Sequence, residues 1–285
     1  MLICYKRQVT SVILKRFDPD GFCKAIQTHR VAFTTVVPPI LVLLANPATS
    51  KKYDLSSLKT VISGAAPLGV ELTLRVLKAV PHLRIMQGYG LTETSPTCTI
   101  TPLDADESAY GSIGALLSNV EARLVDESEV DVKKGERGEL WIRGGNVMKG
   151  YWRNPTATAN SITPDGWFKT GDVAMIDPKG LFFIVDRLKE LIKFKGFQVP
   201  PAELEAKLLS NELVADVGVI GVWDEERATE VPRAYVVPTG GLDGMAEAKR
   251  KEVERGIEKW LDGQVSDHKR LRGGKSDWAR ADATR

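Results

Sequence analysis

The sequence predicts an α/β fold: a parallel α/β layer, then a small antiparallel β unit, then a small α+β lobe. Three observations carry this. Strand-like and helix-like segments alternate as far as about Tyr110, which argues for parallel pairing. After Tyr110, short strand-like segments follow one another across Gly- and Asp-containing turns. Beyond Lys189, helical stretches bracket two strands.

Taken in order, Val12–Leu14 is expected as a short strand. Asp18 or Asp20 caps an amphipathic helix running toward His29, with Phe22, Ala25 and Ile26 on one face. Phe33–Val37 is a β-branched strand, and Pro38-Pro39 opens a helix through Ala45. Leu58–Ile62 is a strand ending at a Ser63-Gly64 turn, Leu68–Val80 is a helix, and Leu83–Met86 is a strand. His29 and His82 end helices and read as solvated or dipole partners rather than ligands. Val120–Val125, Gly138–Arg143 and Leu181–Val185 form the β unit. In the lobe, Pro201–Ser210 and Ala248–Leu261 are helices around strands Val217–Val222 and Ala234–Val237. Lys275–Arg285 is polar and aperiodic, an expected disordered tail.

Composition narrows the function. The 285 residues are 43% hydrophobic, enough for two domains with real cores. A net charge of +2 argues against a nucleic-acid surface or a polybasic membrane patch. Cys4, Cys23 and Cys98 are too few and too scattered for a disulfide framework or a zinc site, which suggests a reducing compartment. The apolar run Val36–Ala45 is broken by Pro38 and Pro39 and is too short to span a membrane. No secretory signal is visible, and Ala283-Thr284-Arg285 is not a Ser-Lys-Leu peroxisomal signal. The expected compartment is cytoplasmic or peroxisomal.

The densest chemistry lies in Gln87-Gly88-Tyr89-Gly90-Leu91-Thr92-Glu93-Thr94. The glycines let backbone approach a ligand closely. Tyr89 offers a flat aromatic face, Thr92 a hydroxyl for a phosphate oxygen, and Glu93 a hard carboxylate suited to Mg²⁺. The same residues would also serve as a plain turn before a capped helix.

Four more segments accompany it: Ser63-Gly64-Ala65-Ala66-Pro67, Thr170-Gly171-Asp172, Asp186-Arg187-Leu188-Lys189, and Lys193-Phe194-Lys195-Gly196-Phe197-Gln198. In this order the set resembles the adenylate-forming superfamily, in its acyl-CoA synthetase and 4-coumarate–CoA ligase branch. The resemblance runs from about Val9 to Gly274. It implies a large domain over residues 1–188, with its β unit at about 111–188, and a mobile lobe over 189–274. It also implies an enzyme: a carboxylic acid, a small molecule, is activated with ATP to acyl-AMP and passed to CoA, with Mg²⁺ assisting.

By the same resemblance, Ser63, Gly64, Ala65, Ala66 and Pro67 line the adenine edge. Gln87, Gly88, Tyr89 and Gly90 form the floor under the adenylate and acyl group. Thr92 contacts phosphate and Glu93 binds Mg²⁺. Asp172 holds the ribose hydroxyls and Arg187 is a second ribose contact. Lys189 is the hinge of the lobe. Lys193 stands near the adenylate phosphate, Lys195 and Gly196 near CoA, and Gln198 near the nucleotide. Without the family, the three lysines would read as a solvated basic edge.

Two family features are missing from this sequence. Nothing between Met1 and Ser63 resembles the Ser/Thr/Gly-rich phosphate loop ending in lysine. The Pro-x-x-x-x-Gly-Lys motif expected after Arg270-Leu271-Arg272-Gly273-Gly274 is replaced by the unmatched tail. The expectation is an incomplete large domain, short of roughly half its residues and most of the acyl pocket. Two alternatives to the ligase reading stand beside it: an inactive truncated fragment, and an adenylation module that loads a carrier protein.

Overall fold

The structure is a computed structural model and describes residue 6 and residues 8–188, 190–239 and 247–272. Lys189 and the expected tail Lys275–Arg285 lie outside the described residues, as does Cys4. The chain divides into two compact units. The first is Met1–Val120 with Gly144–Met148 and Gly180–Phe182; the second is Glu121–Arg143, Lys149–Lys179 and Phe183–Arg285.

In the first unit, Val12–Leu14 is not the strand its composition predicts. The segment is irregular and its side chains are exposed. β propensity is realised only against a pairing neighbour, and among the described residues there is none. Helix α1 (Pro19–His29) starts at Asp18, whose carboxylate accepts from Gly21 N at 2.6 Å, and it buries Cys23 and Ile26. Then come β1 (Phe33–Val36), α2 (Pro38–Ala45), α3 (Pro47–Ser50), β2 (Thr60–Ser63), α4 (Val70–Ala79) and β3 (Arg84–Gly90). β4 (Thr97–Ile100) and β5 (Ala115–Leu116) complete a sheet ordered β1-β2-β3-β4-β5.

The first three strands pair in parallel, as the alternation predicts, while β3–β4 and β4–β5 are antiparallel. Fully buried Leu41, Leu44, Leu58, Val61 and Val76 join α2, α4 and the parallel strands. β3 does not stop at Met86. It runs on to Gly90 because β4 pairs with Gly88, Tyr89 and Gly90. His29 sits in the last turn of α1, whereas His82 is exposed after α4 with Nε2 3.2 Å from Leu55 O.

The second unit holds nearly all of a sheet ordered β6-β7-β8-β9, from β6 (Val120–Val125), β7 (Gly138–Gly144), β8 (Phe168–Ile176) and β9 (Phe182–Arg187). Helix α5 (Pro155–Ser161) lies between β7 and β8 in sequence. β8 has no counterpart among the sequence expectations, because Gly171-Asp172 reads as a turn. β7 and β8 are antiparallel. Buried Trp141 and Trp167 are roofed by cations: Arg143 lies 4.4 Å from the Trp167 ring and Lys169 4.7 Å from the Trp141 ring.

The rest of the unit comprises a hairpin of β10 (Ile192–Phe194) and β11 (Phe197–Val199), helix α6 (Pro201–Leu209), a second hairpin of β12 (Val214–Asp224) and β13 (Thr229–Pro238), and helix α7 (Glu247–Asp262). Ile192, Val199, Leu204, Leu208, Ile257 and Leu261 form its core. Among the described residues, no helix is long and apolar enough to cross a membrane.

Glu205 on α6 accepts a hydrogen bond from Val219 N on β12 at 2.8 Å. Burial pushes its carboxyl above the usual glutamate range; the Val219 bond pulls it down, and Glu190 and Asp216 push it up again. The folded state thus holds this proton more tightly than the unfolded chain does. The associated stability is complete below the ordinary glutamate range and is lost as pH rises through the raised value. Glu205→Gln keeps the acceptor and removes the charge. In urea unfolding, the variant should gain on the parent as pH rises from the ordinary glutamate range toward neutrality. A difference that does not change with pH would sink this account.

Candidate functional site

The predicted site residues gather in two clusters, one in each unit. In the first unit, β2 ends at Ser63, which sits opposite Gln87 in the register of β2 and β3. Ser63 Oγ is buried and has no hydrogen-bond partner among the described residues. A buried hydroxyl without a partner is costly, so its atom suits an arriving polar group. Gly64 N donates to Val36 O at 3.1 Å, and a Cβ on Gly64 would stand 3.2 Å from Gly88 O. Ala65 takes a left-handed φ of 65°, and Ala65, Ala66 and Pro67 are exposed.

Gln87 closes this loop. Its amide accepts from Leu68 N and donates to Leu68 O, both at 3.2 Å, and its backbone N donates to Thr101 Oγ1 at 2.9 Å. The side chain is therefore committed to holding the Ser63–Leu68 loop against β3. Gly88 and Tyr89 are half-buried. At Gly90, a Cβ would meet Pro96 O at 1.7 Å, so no other residue fits. Thr92, exposed, and Glu93, half-buried, lie in a 3₁₀ turn, Thr92–Thr94.

Thr94, the last residue of the motif, and two residues outside it fix that turn. Thr94 Oγ1 accepts from Leu91 N at 2.9 Å and lies 2.5 Å from Pro96 O. Asn146 Nδ2 donates to Thr94 O at 2.9 Å and to Thr97 O at 3.3 Å, and Met148 N donates to Glu93 O at 2.7 Å. The sequence gives no sign of Asn146, because its partners lie about fifty positions away. Among the described residues, no three of His, Cys, Asp or Glu gather as a metal cage. A single carboxylate such as Glu93 fits a magnesium ion that arrives on phosphates and keeps several of its waters.

In the second unit, Asp172 lies within β8 with its side chain only 4% exposed, and accepts from Arg187 Nε at 3.2 Å. Arg187, 61% exposed, also reaches Glu190 at 3.3 Å. Burial opposes its charge, but Asp172 and Glu190 outweigh that and raise its pKa. Thr170 Oγ1 donates to Leu140 O at 2.6 Å, Gly171 N donates to Glu139 Oε1 at 3.0 Å, and Leu188 N donates to Gly171 O at 2.8 Å. These bonds set the strand that carries Asp172.

The β10–β11 hairpin carries Lys193–Gln198. Lys195 (φ 46°) and Gly196 (φ 84°) form its two-residue turn, the positive-φ geometry that matches strand twist. Lys193 pairs directly across from Gln198, so the two share one face. Ile192, Phe194 and Val199 are buried in the core instead, and Lys193, Lys195, Gly196 and Gln198 are exposed. Neither lysine has an ion-pair partner among the described residues.

A family model described as AMP-binding enzyme matches residues 1–152, and one for the AMP-binding enzyme C-terminal domain matches residues 203–274. The chain is 46% identical over 234 residues to a 4-coumarate–CoA ligase-like protein of Oryza sativa, covering 81% of this chain and 39% of that one. It is 43% identical over 266 residues to a 4-coumarate–CoA ligase-like protein of Arabidopsis thaliana, covering 92% and 46%. The crystal structure of ATP-bound MatB from Rhodopseudomonas palustris superposes with a TM-score of 0.80 at 31% identity, covering 95% of this chain and 51% of MatB. The chain spans about half the length of the curated relatives it matches.

The two strand glycines make a paired test. Gly88→Ala meets nothing nearer than 3.6 Å, whereas Gly90→Ala collides with the backbone of Pro96. Gly90→Ala should lower stability by about 1–3 kcal/mol or more, the usual cost of overpacking. Gly88→Ala should cost much less. Equal melting temperatures for the two variants would show that the β3–β4 approach is not constrained as described.

Proposed function

The chain belongs to the AMP-binding enzyme family, and on that premise we propose that it serves acyl-CoA formation from a carboxylic acid, ATP and CoA. In the first step a carboxylate oxygen attacks the α-phosphorus of ATP, the bond to pyrophosphate breaks, and acyl-AMP forms. In the second, the CoA thiol gives up its proton to solvent and its sulfur attacks the acyl carbon. The bond to AMP then breaks, and AMP leaves with the electron pair.

One observation carries the reading: a tight hairpin presents two exposed ammonium groups, Lys193 and Lys195, with no ion-pair partner among the described residues. Such groups suit an anionic ligand, and the relatives are named CoA ligases. Lys193 faces the adenylate phosphate in this proposal, with Gln198 beside it toward the nucleotide. Lys195 and Gly196 meet CoA at the hairpin tip. Asp172 takes the ribose diol, and the exposed Arg187 swings from its carboxylate to the sugar. Ser63 offers its unpartnered hydroxyl along the adenine edge with Gly64, Ala65, Ala66 and Pro67. Gly88, Tyr89 and Gly90 form the floor, Thr92 contacts phosphate, and Glu93 holds magnesium. Magnesium would supply charge neutralisation on the phosphates. Buried, unbridged Cys23 and Cys98 favour a reducing compartment, cytosolic or peroxisomal.

The test supplies the chain with 4-coumaroyl-adenylate and CoA and follows thioester by absorbance, against the uncatalysed rate. Asp172→Asn and Lys193→Ala should each lower the protein-dependent rate by about 10²-fold, the scale of one preorganised contact. Replacing CoA with a phosphopantetheinylated carrier protein separates the two thiol acceptors. If neither substitution changes the rate, the thioester is background chemistry and the ligase reading falls.

A further inference from the structure

The two hairpins of the second unit form separate sheets, with no backbone ladder between β10 and β13. They share an apolar core, and side chains from the start of β13 add hydrogen bonds to the backbone of β10. Thr229 Oγ1 donates to Lys193 O at 2.7 Å and accepts from Lys195 N at 2.8 Å. Glu230 Oε2 accepts from Lys193 N at 2.7 Å. A threonine hydroxyl has one proton and two lone pairs, so it can make both of its bonds at once. Thr229 is 6% exposed, so water does not replace it readily. Between the two lysines, Phe194 turns into the core.

We infer that Thr229 is the positioning residue for the Lys193–Gln198 hairpin. Its hydroxyl spans the residue between the two lysines, bonding the carbonyl of one and the amide of the other. That fixes the pitch of the strand and hence where both ammonium groups are held. Glu230 holds the Lys193 amide independently. Thr229 touches no ligand in this scheme and acts through the backbone it clamps. The consequence for CoA rests on the function proposed above; the clamp itself does not.

The experiment uses the full 285-residue chain. Amide hydrogen exchange of Lys193 and Lys195 is measured by NMR, CoA affinity by the shifts of the Lys195 and Gly196 amides, and melting temperature alongside. Thr229→Val keeps the shape and removes both bonds; Thr229→Ser keeps the hydroxyl. Thr229→Val should speed Lys195 exchange and weaken CoA binding by about tenfold each. Thr229→Ser should restore both to within about threefold of the parent, an estimate for a retained but less crowded hydroxyl. Unchanged Lys195 exchange in Thr229→Val overturns the inference whatever CoA does. If Lys195→Ala binds CoA like the parent, the CoA role of the hairpin fails, and Thr229 is judged on exchange alone. Should Thr229→Val not fold, Glu230→Ala provides the test. It must free the Lys193 amide and leave Lys195 protected; equal acceleration of both would overturn the independent clamp.

Discussion

The first unit depends on the approach of β3 to the loop that returns from it. Within seven residues, β3 passes from parallel pairing with β2 to antiparallel pairing with β4. At the end of β3, Gly90 lies so close to Pro96 that no side chain fits. The return, Leu91–Pro96, is then too short to find its own hydrogen bonds in a regular ladder. Thr94 supplies them locally, and Asn146 and Met148 from a distant segment. Glu93 is aimed by that packing. Its backbone carbonyl accepts from Met148 N at 2.7 Å, which ties the turn to that segment.

The second unit meets the opposite difficulty. Asp172 is a charge in a nearly closed position, and a buried carboxylate without compensation would be strongly destabilising. Arg187 compensates it from the surface, while Thr170 and Glu139 take up the polar groups of the strand around it. The pair is asymmetric: a buried anion and an exposed cation.

Sequence patterns anticipated much of this where the information is local. The Asp18 cap, the Pro38 start of α2 and the three parallel strands follow from caps, proline and periodicity. They failed where glycine has two meanings. Gly88 and Gly90 in β3, and Gly171 in β8, look like turns in the sequence but sit inside strands; close approach demands glycine at Gly90, and a positive φ favours it at Gly171. The reverse error occurred at Val12–Leu14, whose β-branched residues have no neighbour to pair with among the described residues. Sequence motifs pointed to the residues proposed to offer chemistry. Those that hold them from outside the motifs, Asn146, Glu139 and Thr229, left no mark, since all three reach partners more than thirty positions away.

That division has a physical cause. A group that must bind a ligand has to leave its donors and acceptors available, so it cannot also anchor its own backbone. Another polar side chain must do so, and it must be buried enough that water does not compete. Thr94 is fully buried and Thr229 nearly so, and each hydroxyl serves two backbone groups. A threonine suits this better than serine because its methyl fixes χ1 and fills the space that would admit water. The arrangement separates two demands on one short segment. In the proposed site, the motif residue supplies the group that would face a ligand, and a residue elsewhere in the chain holds its backbone. Substitution of the second kind should therefore blur the position of the site while leaving its chemical groups intact.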